Sequence, residues 1–563
     1  MKLNGPLSLW APVALVFVLR LPDLFVPYYN NDELTNSLFA NMILDGRLTL
    51  LEFLGNTYLL THYFYAAVAG LFGRYTLFPV YLVNLFWCMA TAMMFYAAGR
   101  ELTGRKEGGF WAALFYATAS VCFMSKDYRA VLSEGLSLLP LTTAAFFYFR
   151  AIRLKKWFFY AVAGFFIGLA GLFKAPAAIM ILALWSSLFF VPAGVRLGSF
   201  VFSGLGVGIA VVLPLLFVAS PIDGFNHLLG RVERVQKYYI GAYENLPILY
   251  WGFKYLFRTF LTAVSCPLVW YLAVRTLRGE LSFKRGGPDP YREKLLILFL
   301  FFWLLSNWFV VTIGKRVFYH YFVFMIPPLC LLAVPAVLEW TDRLMKRAPA
   351  IRRPWLILLA LGIFFPPLGY SVESIIGLSP QRPDLSKVVD YVMRETGPAE
   401  RIFIWGTVPQ IYFFSERDPA TTFFWSDTLA GASPGTPSME YMQATGRSLS
   451  LPESVLRDLQ ADFGKVPGVL EPVTGGGLHA IAENELLSIQ EILELIENPF
   501  WKKVFEDFFR TPPVLILDTA PTGIRGFSNF PIEKYELLKK FIDDNYRYDR
   551  TVDGIIFYRL KMT

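Results

Sequence analysis

The sequence predicts a polytopic α-helical membrane protein that carries a soluble α/β domain at its C-terminal end. Apolar runs near 20 residues long follow one another from Leu7 to about Val372, and about 20 apolar residues span the roughly 30 Å of a bilayer core. The rest of the chain has the composition of an ordinary soluble domain. Charged residues make up 17% of the whole chain, against about 25% in soluble proteins. We therefore expect a membrane domain over residues 1–378 and a globular domain over residues 379–563.

The apolar runs predict about eleven membrane spans. They lie near residues 7–26, 78–98, 109–125, 131–149, 158–173, 176–192, 197–219, 258–276, 294–313, 317–338 and 355–372. The two spans that meet at Pro176 could form one broken helix, because proline interrupts helical hydrogen bonding. The first run has only Lys2 before it and no small-residue cleavage site after it, so we expect a retained span and not a removed signal peptide.

The basic residues predict which loops face the cytoplasm. Arginines and lysines concentrate in alternate loops, at Arg100, Arg105, Lys106, Arg150, Arg153, Lys155, Lys156, Arg275, Arg278, Lys284, Arg285, Arg292, Lys294, Arg343, Lys346, Arg347, Arg352 and Arg353. Short cytoplasmic loops carry such an excess, so we expect these loops in the cytoplasm. Because the number of predicted spans is odd, we then expect the C-terminal domain on the extracytoplasmic side. These loops also explain the net charge of +8. Because no basic patch is visible in the soluble part, we do not expect nucleic-acid binding.

The four cysteines predict neither a disulfide framework nor a metal site. Cys88, Cys122, Cys266 and Cys330 all fall within predicted spans, away from the outer loops where an oxidising compartment would favour pairing. They also lack the Cys/His spacing that is typical of zinc sites.

The first outer loop, residues 27–77, holds the most informative polar residues of the chain. Asp32 and Glu33 follow the first span, where acids are costly unless they are solvated or functional. They could also cap a helix, because acids suit the first helical turn, and that role is compatible with catalysis. An amphipathic stretch continues to Leu44, and a second apolar stretch, residues 59–72, is expected to lie in the membrane interface.

Further charged and aromatic side chains lie in the outer loops or at the outer ends of the predicted spans. They are Arg47, His62, Lys126, Arg129, Glu134, Lys174, Lys315, Arg316, His320 and Tyr321. With Asp32 and Glu33 they could line a cavity that has a carboxylate base and an anion-binding rim. Other interpretations stay open: the cations could be interfacial anchors, Glu134 could pair with Arg129, and His320 could be a hydrogen-bonded core histidine.

Several short motifs, taken in their order and on one side of the membrane, resemble a family of membrane enzymes. They are Asp32-Glu33 with Gly46 downstream, Glu134-Gly135-Leu136-Ser137-Leu138-Leu139-Pro140-Leu141, Gly168-Leu169-Ala170-Gly171-Leu172-Phe173-Lys174-Ala175-Pro176, His320-Tyr321 with Pro327-Pro328, and, in the soluble domain, Ile402-Phe403-Ile404-Trp405-Gly406 with Ile411-Tyr412. The arrangement is similar to the GT-C glycosyltransferases of the protein O-mannosyltransferase and lipid A aminoarabinose transferase type.

One segment departs from this family's pattern. Many bacterial relatives carry Lys-Pro-Pro-Leu in the first outer loop, where this chain has Thr57-Tyr58-Leu59-Leu60. If that lysine holds the donor phosphate in relatives, another cation must do so here. Arg47, His62, Lys126 and Arg129 are the candidates from this part of the chain.

The resemblance implies an enzyme that moves a hexosyl or pentosyl group from a polyprenyl phosphate, such as undecaprenyl phosphate, to an acceptor hydroxyl on a lipid, glycan or protein. In that scheme the anomeric carbon is inverted and Asp32 is the general base, because proximity to Glu33 would raise one carboxylate's pKa. Glu134 completes the catalytic acids. No cofactor is required, although the resemblance allows Mg²⁺ or Mn²⁺ on carboxylates such as Asp32 and Glu134.

The remaining candidates are chosen by their placement in the sequence alone. Cations that would neutralise the departing phosphate are Lys174, Arg129, Lys126, Lys315 and Arg316. Substrate-binding groups would be His320, Tyr321, His62 and Arg47. The expected location is a prokaryotic inner membrane, with the C-terminal domain in the periplasm and membrane lipids as further partners.

Two alternatives use a similar inventory of residues. A transporter or flippase of a lipid-linked saccharide would also place charges near spans, although such proteins commonly show internal repeats and sites near the midplane. An oligosaccharide polymerase or ligase would use a long outer loop and basic residues, without an evident need for Asp32-Glu33.

The C-terminal domain, residues 379–563, alternates helical and strand-like stretches, which is typical of a small α/β module. Helices are predicted at about 385–394, 487–508 and 532–544, and strands at about 401–405, 514–517 and 555–558. We expect this domain to cover the membrane site or shape access of the acceptor.

Overall fold

The chain divides into two compact units, Met1–Pro380 and Gln381–Thr563. The computed structural model describes residues 7–48, 58–122, 126–191, 193–217, 220, 222–226, 248–281, 290–313, 318–376, 383–431, 493, 496 and 498–561.

The described secondary-structure elements of the first unit are all helices. Its helices are α1 (Leu7–Arg20), α2 (Asn31–Leu44), α3 (Leu59–Phe72), α4 (Phe78–Thr103), α5 (Lys106–Cys122), α6 (Lys126–Arg129), α7 (Ser133–Leu154), α8 (Trp157–Phe173), α9 (Met180–Leu188), α10 (Ala193–Val212), α11 (Ile248–Ser265), α12 (Pro267–Leu281), α13 (Pro290–Ile313), α14 (Ile326–Met345) and α15 (Pro349–Ile376). Four 3₁₀ segments join or extend them, at Leu21–Phe25, Ala175–Ile179, Leu213–Phe217 and Tyr319–Met325. Each predicted span coincides with one or two of these elements.

Length and hydropathy define the helices that can cross a bilayer. Among the described residues, seven are long and apolar enough, and an eighth span results if the bent pair α11–α12 counts as one. The other three predicted spans correspond to the shorter helices α5, α8 and α9. Within the segment Tyr319–Met345, an 18-residue window is 94% buried, so it is the central span of the unit. The chain is therefore a multi-pass membrane protein.

The span predicted at residues 258–276 is broken in the structure. The axes of α11 and α12 meet at 104° on either side of Cys266. Pro267 begins α12, and a proline lacks the N–H that would continue the preceding helix and clashes with its last turn. One face of α11 is apolar and exposed, at Phe253, Leu256, Phe257, Phe260 and Val264.

The second unit contains a four-stranded sheet in the order β1-β2-β4-β3, with β1 (Ile402–Trp405), β2 (Leu515–Asp518), β3 (Tyr546–Val552) and β4 (Ile555–Leu560). β1 and β2 are parallel, and the other pairs are antiparallel. Its helices are α16 (Ser386–Glu395), α17 (Pro409–Ser415), α18 (Ser426–Leu429), α19 (Pro499–Arg510) and α20 (Glu536–Asn545). The predicted α/β domain is confirmed. Of the helix predicted at about 487–508, the part before α19 lies mostly outside the described residues.

Glycines allow α8 and α10 to pack closely. A Cβ atom on Gly164 would lie 2.0 Å from the carbonyl oxygen of Ser203, and one on Gly206 would lie 2.0 Å from the carbonyl oxygen of Ala161. Small residues at helix crossings provide van der Waals packing in membranes, where hydrophobic driving force between helices is absent. This crossing fixes the position of the end of α8, where Lys174 follows.

We expect Gly206→Ala to lower the thermal unfolding temperature of the detergent-purified protein, because the added methyl group forces α8 and α10 apart at a cost of about 1–3 kcal/mol. Gly208→Ala is the matched control, since a Cβ there has nothing within 4 Å and alanine favours the helix. Equal unfolding temperatures for the two variants would contradict the proposed close crossing.

Candidate active site

The acidic pair of the first outer loop begins α2. Asn30 is the N-cap, and its side-chain oxygen accepts a hydrogen bond from the Asp32 N–H at 3.0 Å. In return, the Glu33 carboxylate accepts a hydrogen bond from the Asn30 N–H at 3.0 Å. This reciprocal capping box satisfies donors that a helix N-terminus leaves unpaired. The capping role considered for the pair is therefore present in the structure.

Glu33 joins three segments of the chain. Its side chain is fully buried, and it also accepts hydrogen bonds from the Tyr29 N–H at 2.7 Å, the Tyr81 hydroxyl at 3.0 Å and the Val131 N–H at 2.7 Å. Burial raises the pKa of Glu33 to about 7, and these hydrogen bonds act in the opposite direction. All of these donors belong to the protein itself. We therefore assign Glu33, expected to be catalytic, to positioning α2 against α4 and the segment before α7.

Asp32 is the more accessible acid of the pair. It is half-buried, whereas Glu33 is fully buried. Successive residues of a helix point about 100° apart around its axis, so the two carboxylates occupy different faces of the first turn of α2. The two acids therefore differ in environment: Glu33 is enclosed by donors of the protein, and Asp32 keeps part of its surface exposed.

A second cluster forms around Glu134 and Lys174. The Lys174 ammonium lies 2.8 Å from Oε1 of Glu134, and both side chains are almost completely buried. His320 Nε2 lies 3.8 Å from the same oxygen, and the Ser133 hydroxyl donates to Oε2 at 3.0 Å. The alternative from the sequence, an ion pair between Glu134 and Arg129, is therefore wrong, because Glu134 pairs with Lys174.

Two tyrosines surround the Lys174 ammonium. The Lys174 ammonium donates a hydrogen bond to the Tyr58 hydroxyl at 3.0 Å, and it lies 4.1 Å and 5.1 Å from the ring centres of Tyr58 and Tyr321. A cation is attracted to such aromatic faces, more strongly when it is desolvated. Local sequence explains the position of Lys174: α8 ends at Phe173, the lysine is extended, and the next segment begins a 3₁₀ turn containing Pro176.

Tyr58 occupies the segment where many relatives have a lysine. The structure brings its hydroxyl to Lys174, so the first outer loop contributes to the cluster without a cation. Five residues that the sequence analysis named in distant parts of the chain thereby come together. They are Tyr58, Glu134, Lys174, His320 and Tyr321.

Arg129 lies in a different cluster. Its Nε donates a hydrogen bond to Oδ1 of Asp23 at 2.7 Å, and its side chain is buried. Asp23 was not singled out in the sequence because it lies inside the first apolar run. The carboxylate of Asp23 therefore competes with any phosphate for Arg129, as the carboxylate of Glu134 does for Lys174.

The remaining candidates separate into two groups. His62 is buried in α3, with its ring centre 4.8 Å from that of Phe39, and burial lowers its pKa to about 3. Arg47 follows α2, where its N–H bonds to the carbonyl of Met42 at 2.9 Å. Side chains that lie outside the described residues are Lys126, Lys315 and Arg316.

Arg258 is a candidate that the sequence analysis missed. Its guanidinium carbon lies 4.1 Å from the ring centre of Tyr319, which directly precedes His320. Its Nη1 is buried, and within the described part of the chain it has no hydrogen-bond partner. A buried donor without a partner is costly, so it marks a place where an anion would be stabilised. The signal in the sequence was Lys254 and Arg258, four residues apart on an amphipathic helix.

Mg²⁺ or Mn²⁺ on Asp32 and Glu134 stays a prediction, with Lys174 as the cation that already lies beside Glu134. The Lys174 ammonium lies 2.8 Å from Glu134, where it supplies the positive charge that a cation would bring. Over the described ranges, no group of three or more His, Cys, Asp or Glu side chains is arranged to hold a metal ion.

Comparisons with known proteins agree with this architecture. The family model described as dolichyl-phosphate-mannose-protein mannosyltransferase matches residues 58–218, less than a third of the chain. A crystal structure of the Archaeoglobus fulgidus oligosaccharyltransferase in complex with Zn and sulfate is similar to the chain with a TM-score of 0.51 and 13% identity, over 98% of this chain and 73% of that chain. None of the curated proteins matches the sequence significantly.

Two further structures of Archaeoglobus fulgidus oligosaccharyltransferase were found. The apo form gives a TM-score of 0.49 at 13% identity, covering 100% of this chain and 75% of that chain. The enzyme AglB with an inhibitory peptide and a dolichol-phosphate gives 0.48 at 12% identity, covering 99% and 75%. The GT-C class of fold is confirmed by the first structure. The resemblance to the O-mannosyltransferase family is confirmed by the match over residues 58–218.

We expect Glu33→Gln to lower the unfolding temperature in detergent. Glutamine keeps one acceptor oxygen and turns an N–H₂ group toward buried donors, and each unsatisfied buried group costs about 1–3 kcal/mol. Asp45→Asn is the control, because Asp45 pairs with Arg74 at an exposed site, where such pairs contribute about 0–1 kcal/mol. If the two variants unfold alike, Glu33 does not have the joining role assigned to it.

Proposed function

We propose that this protein is a membrane glycosyltransferase that moves a sugar from a polyprenyl-phosphate donor to an acceptor hydroxyl, with inversion at the anomeric carbon. The single observation that supports this most is the buried Lys174 ammonium, enclosed by Glu134 and two tyrosine rings beside His320. A transfer of this kind needs a site for the departing phosphate and a base for the acceptor, and both chemistries are available at the outer ends of the helices.

Lys174, His320 and Arg258 are our candidates for holding the donor phosphate. Preorganised cations in a water-poor site stabilise a developing negative charge far better than they would in water. Glu134 compensates Lys174 before the donor arrives, and Tyr58 supplies a hydroxyl at 3.0 Å from it. The exposed apolar face of α11, which carries Arg258, suits the isoprenoid chain of the same donor.

Asp32 is our candidate for the general base. It would take the proton of the acceptor hydroxyl as the oxygen attacks the anomeric carbon, and the C–O bond to the phosphate breaks with its electron pair leaving on phosphate. General-base assistance of this type is worth typically about 10²- to 10⁴-fold in rate. Glu33 supports the assignment by fixing the first turn of α2, from which Asp32 projects.

The extracytoplasmic face of a prokaryotic inner membrane is the proposed place of the reaction. The basic loops Arg100–Lys106 and Arg150–Lys156 lie at the opposite ends of α4 and α7 from the acidic pair and Glu134, as the positive-inside rule requires. The acceptor would be a lipid, a glycan or a protein of the cell envelope.

A transporter or flippase is the second candidate, because α11 and α12 form a broken helix pair and broken helices are common in transporters. Fluorescent polyprenyl-phosphate sugar in proteoliposomes separates the two. Movement of intact donor between leaflets, without transfer to any acceptor, would favour transport.

We expect Asp32→Asn to abolish sugar transfer while the protein remains folded, because asparagine keeps the size and the cap but cannot accept the acceptor's proton. The assay measures sugar transfer from synthetic polyprenyl-phosphate sugars to a broad pool of envelope lipids and glycans. Asp45→Asn makes the same change on the same loop, outside the proposed site, and should retain wild-type turnover. Near-normal turnover by Asp32→Asn would remove Asp32 from the role of base.

We expect Arg258→Gln to lower kcat/KM for the lipid donor by about 10- to 100-fold, since a hydrogen bond to a charged group contributes about 1.5–3 kcal/mol. KM for the acceptor should stay unchanged. The matched control is Arg275→Gln on α12, a residue predicted to lie on the cytoplasmic side. Equal kcat/KM values for both variants would show that Arg258 does not contact the donor.

A further inference from the structure

Asp23 connects the two segments that lead to the proposed catalytic acids. It lies in the 3₁₀ segment Leu21–Phe25 and is buried. Its Oδ1 accepts hydrogen bonds from the Tyr29 hydroxyl at 2.8 Å and from Arg129 Nε at 2.7 Å. Tyr29 precedes Asp32 by three residues, and Arg129 precedes Glu134 by five. One carboxylate oxygen therefore touches both segments.

A second arginine extends the same cluster. Arg20 Nη1 lies 3.5 Å from Oδ2 of Asp23. The Arg20 guanidinium also donates to the backbone carbonyls of Ser120, Tyr128 and Arg129. Arg20 thus binds the backbone of the connection between α5 and α7 by hydrogen bonds. Asp23 in turn pairs with Arg20.

The charges make Asp23 the group on which this cluster depends. Two buried guanidinium groups, those of Arg20 and Arg129, face one carboxylate. Removing one partner of a buried ion pair is strongly destabilising, because an uncompensated charge remains in a low dielectric. The Arg129 guanidinium also lies 5.6 Å from the ring centre of Tyr29, so the arginine and the tyrosine are held against each other as well as against Asp23.

Glu33 provides a parallel connection between the same two segments. It receives N–H groups from Tyr29 and Asn30 on one side and from Val131 on the other. The segment from Arg129 to Val131 is therefore held at two points, by Asp23 at its start and by Glu33 at its end. Glu134 follows within one helical turn and meets Lys174.

We infer that Asp23 is a positioning residue of the active site, whose carboxylate fixes the distance between the segment of Asp32 and the segment of Glu134. It has no role in contacting the substrates. The inference rests on the proposed transferase function, because its effect is measured as turnover. A displacement of about 1 Å in such a site can cost roughly 10²-fold in rate.

The test measures kcat and KM of monodisperse, folded protein for Asp23→Asn and Tyr29→Phe. Asp23→Asn keeps the shape but removes the charge, and we expect kcat to fall by about 10-fold or more with KM for the lipid donor within about two-fold of wild type. Tyr29→Phe removes only the hydroxyl from the cluster and leaves the ion pairs intact, so it remains informative if Asp23→Asn does not fold. We expect a smaller loss of kcat, again at constant KM. Asp45→Asn is the charge-matched control.

Both connections act on one segment, so their effects should not be additive. Residues that share a network show coupling in double-mutant cycles. We expect Tyr29→Phe combined with Glu33→Gln to lose more turnover than the product of the single losses, because either connection alone still holds the segment.

Two outcomes would overturn the inference. One is a kcat per folded molecule equal to wild type in both single variants, which would leave Asp23 a purely structural residue. The other is a change confined to donor KM, which would indicate contact with the donor. If the wild-type protein itself transfers no sugar, the proposed function fails instead, and the two failures are distinguished by that first measurement.

Discussion

The ion pair between Lys174 and Glu134 is the interaction on which the rest of the membrane unit depends. A lysine ammonium is expensive inside a membrane protein unless a partner compensates it. Here Glu134 lies 2.8 Å away, and the rings of Tyr58 and Tyr321 lie 4.1 Å and 5.1 Å from the ammonium. The end of α8, the start of α7, the first outer loop and the segment before α14 must therefore meet at one place. The pair as a unit is neutral, because the two charges compensate each other.

Two further carboxylates hold the surroundings of this pair. Glu33 and Asp23 are both buried, and each binds one segment near Asp32 and one near Glu134. The three acids thus have different roles. Glu134 pairs with Lys174, whereas Asp23 and Glu33 bind the segment that precedes Glu134. Of the four described acids Asp23, Asp32, Glu33 and Glu134, Asp32 is half-buried and the other three are buried, and we propose it as the group that meets an acceptor. The close packing of α8 against α10 at Gly164 and Gly206 fixes the position of α8, and Lys174 follows the end of that helix.

Much of this arrangement was predictable from the sequence, for identifiable reasons. Hydropathy located the helices. The predicted position on one side of the membrane indicated which residues could be neighbours: Glu134, Lys174, His320 and Tyr321. Tertiary partners were not predictable: Asp23 lies within an apolar run, so its pairing with Arg129 carried no local signal. Arg258 and the bend before Pro267 were hidden inside one apparent span. Strand β3 was missed because its sequence, Tyr546–Val552, is mostly polar and its side chains are largely exposed.

Mass spectrometry of the lipids that co-purify in mild detergent tests the central claim most directly, because it asks what the Lys174 site holds before any assay is chosen. The account predicts polyprenyl phosphate, or its sugar ester, on the wild-type protein and its loss in Lys174→Met, with Lys156→Met as the control from a loop predicted to be cytoplasmic. Finding no polyprenyl phosphate on the wild type, or equal amounts on the wild type and Lys174→Met, would contradict it.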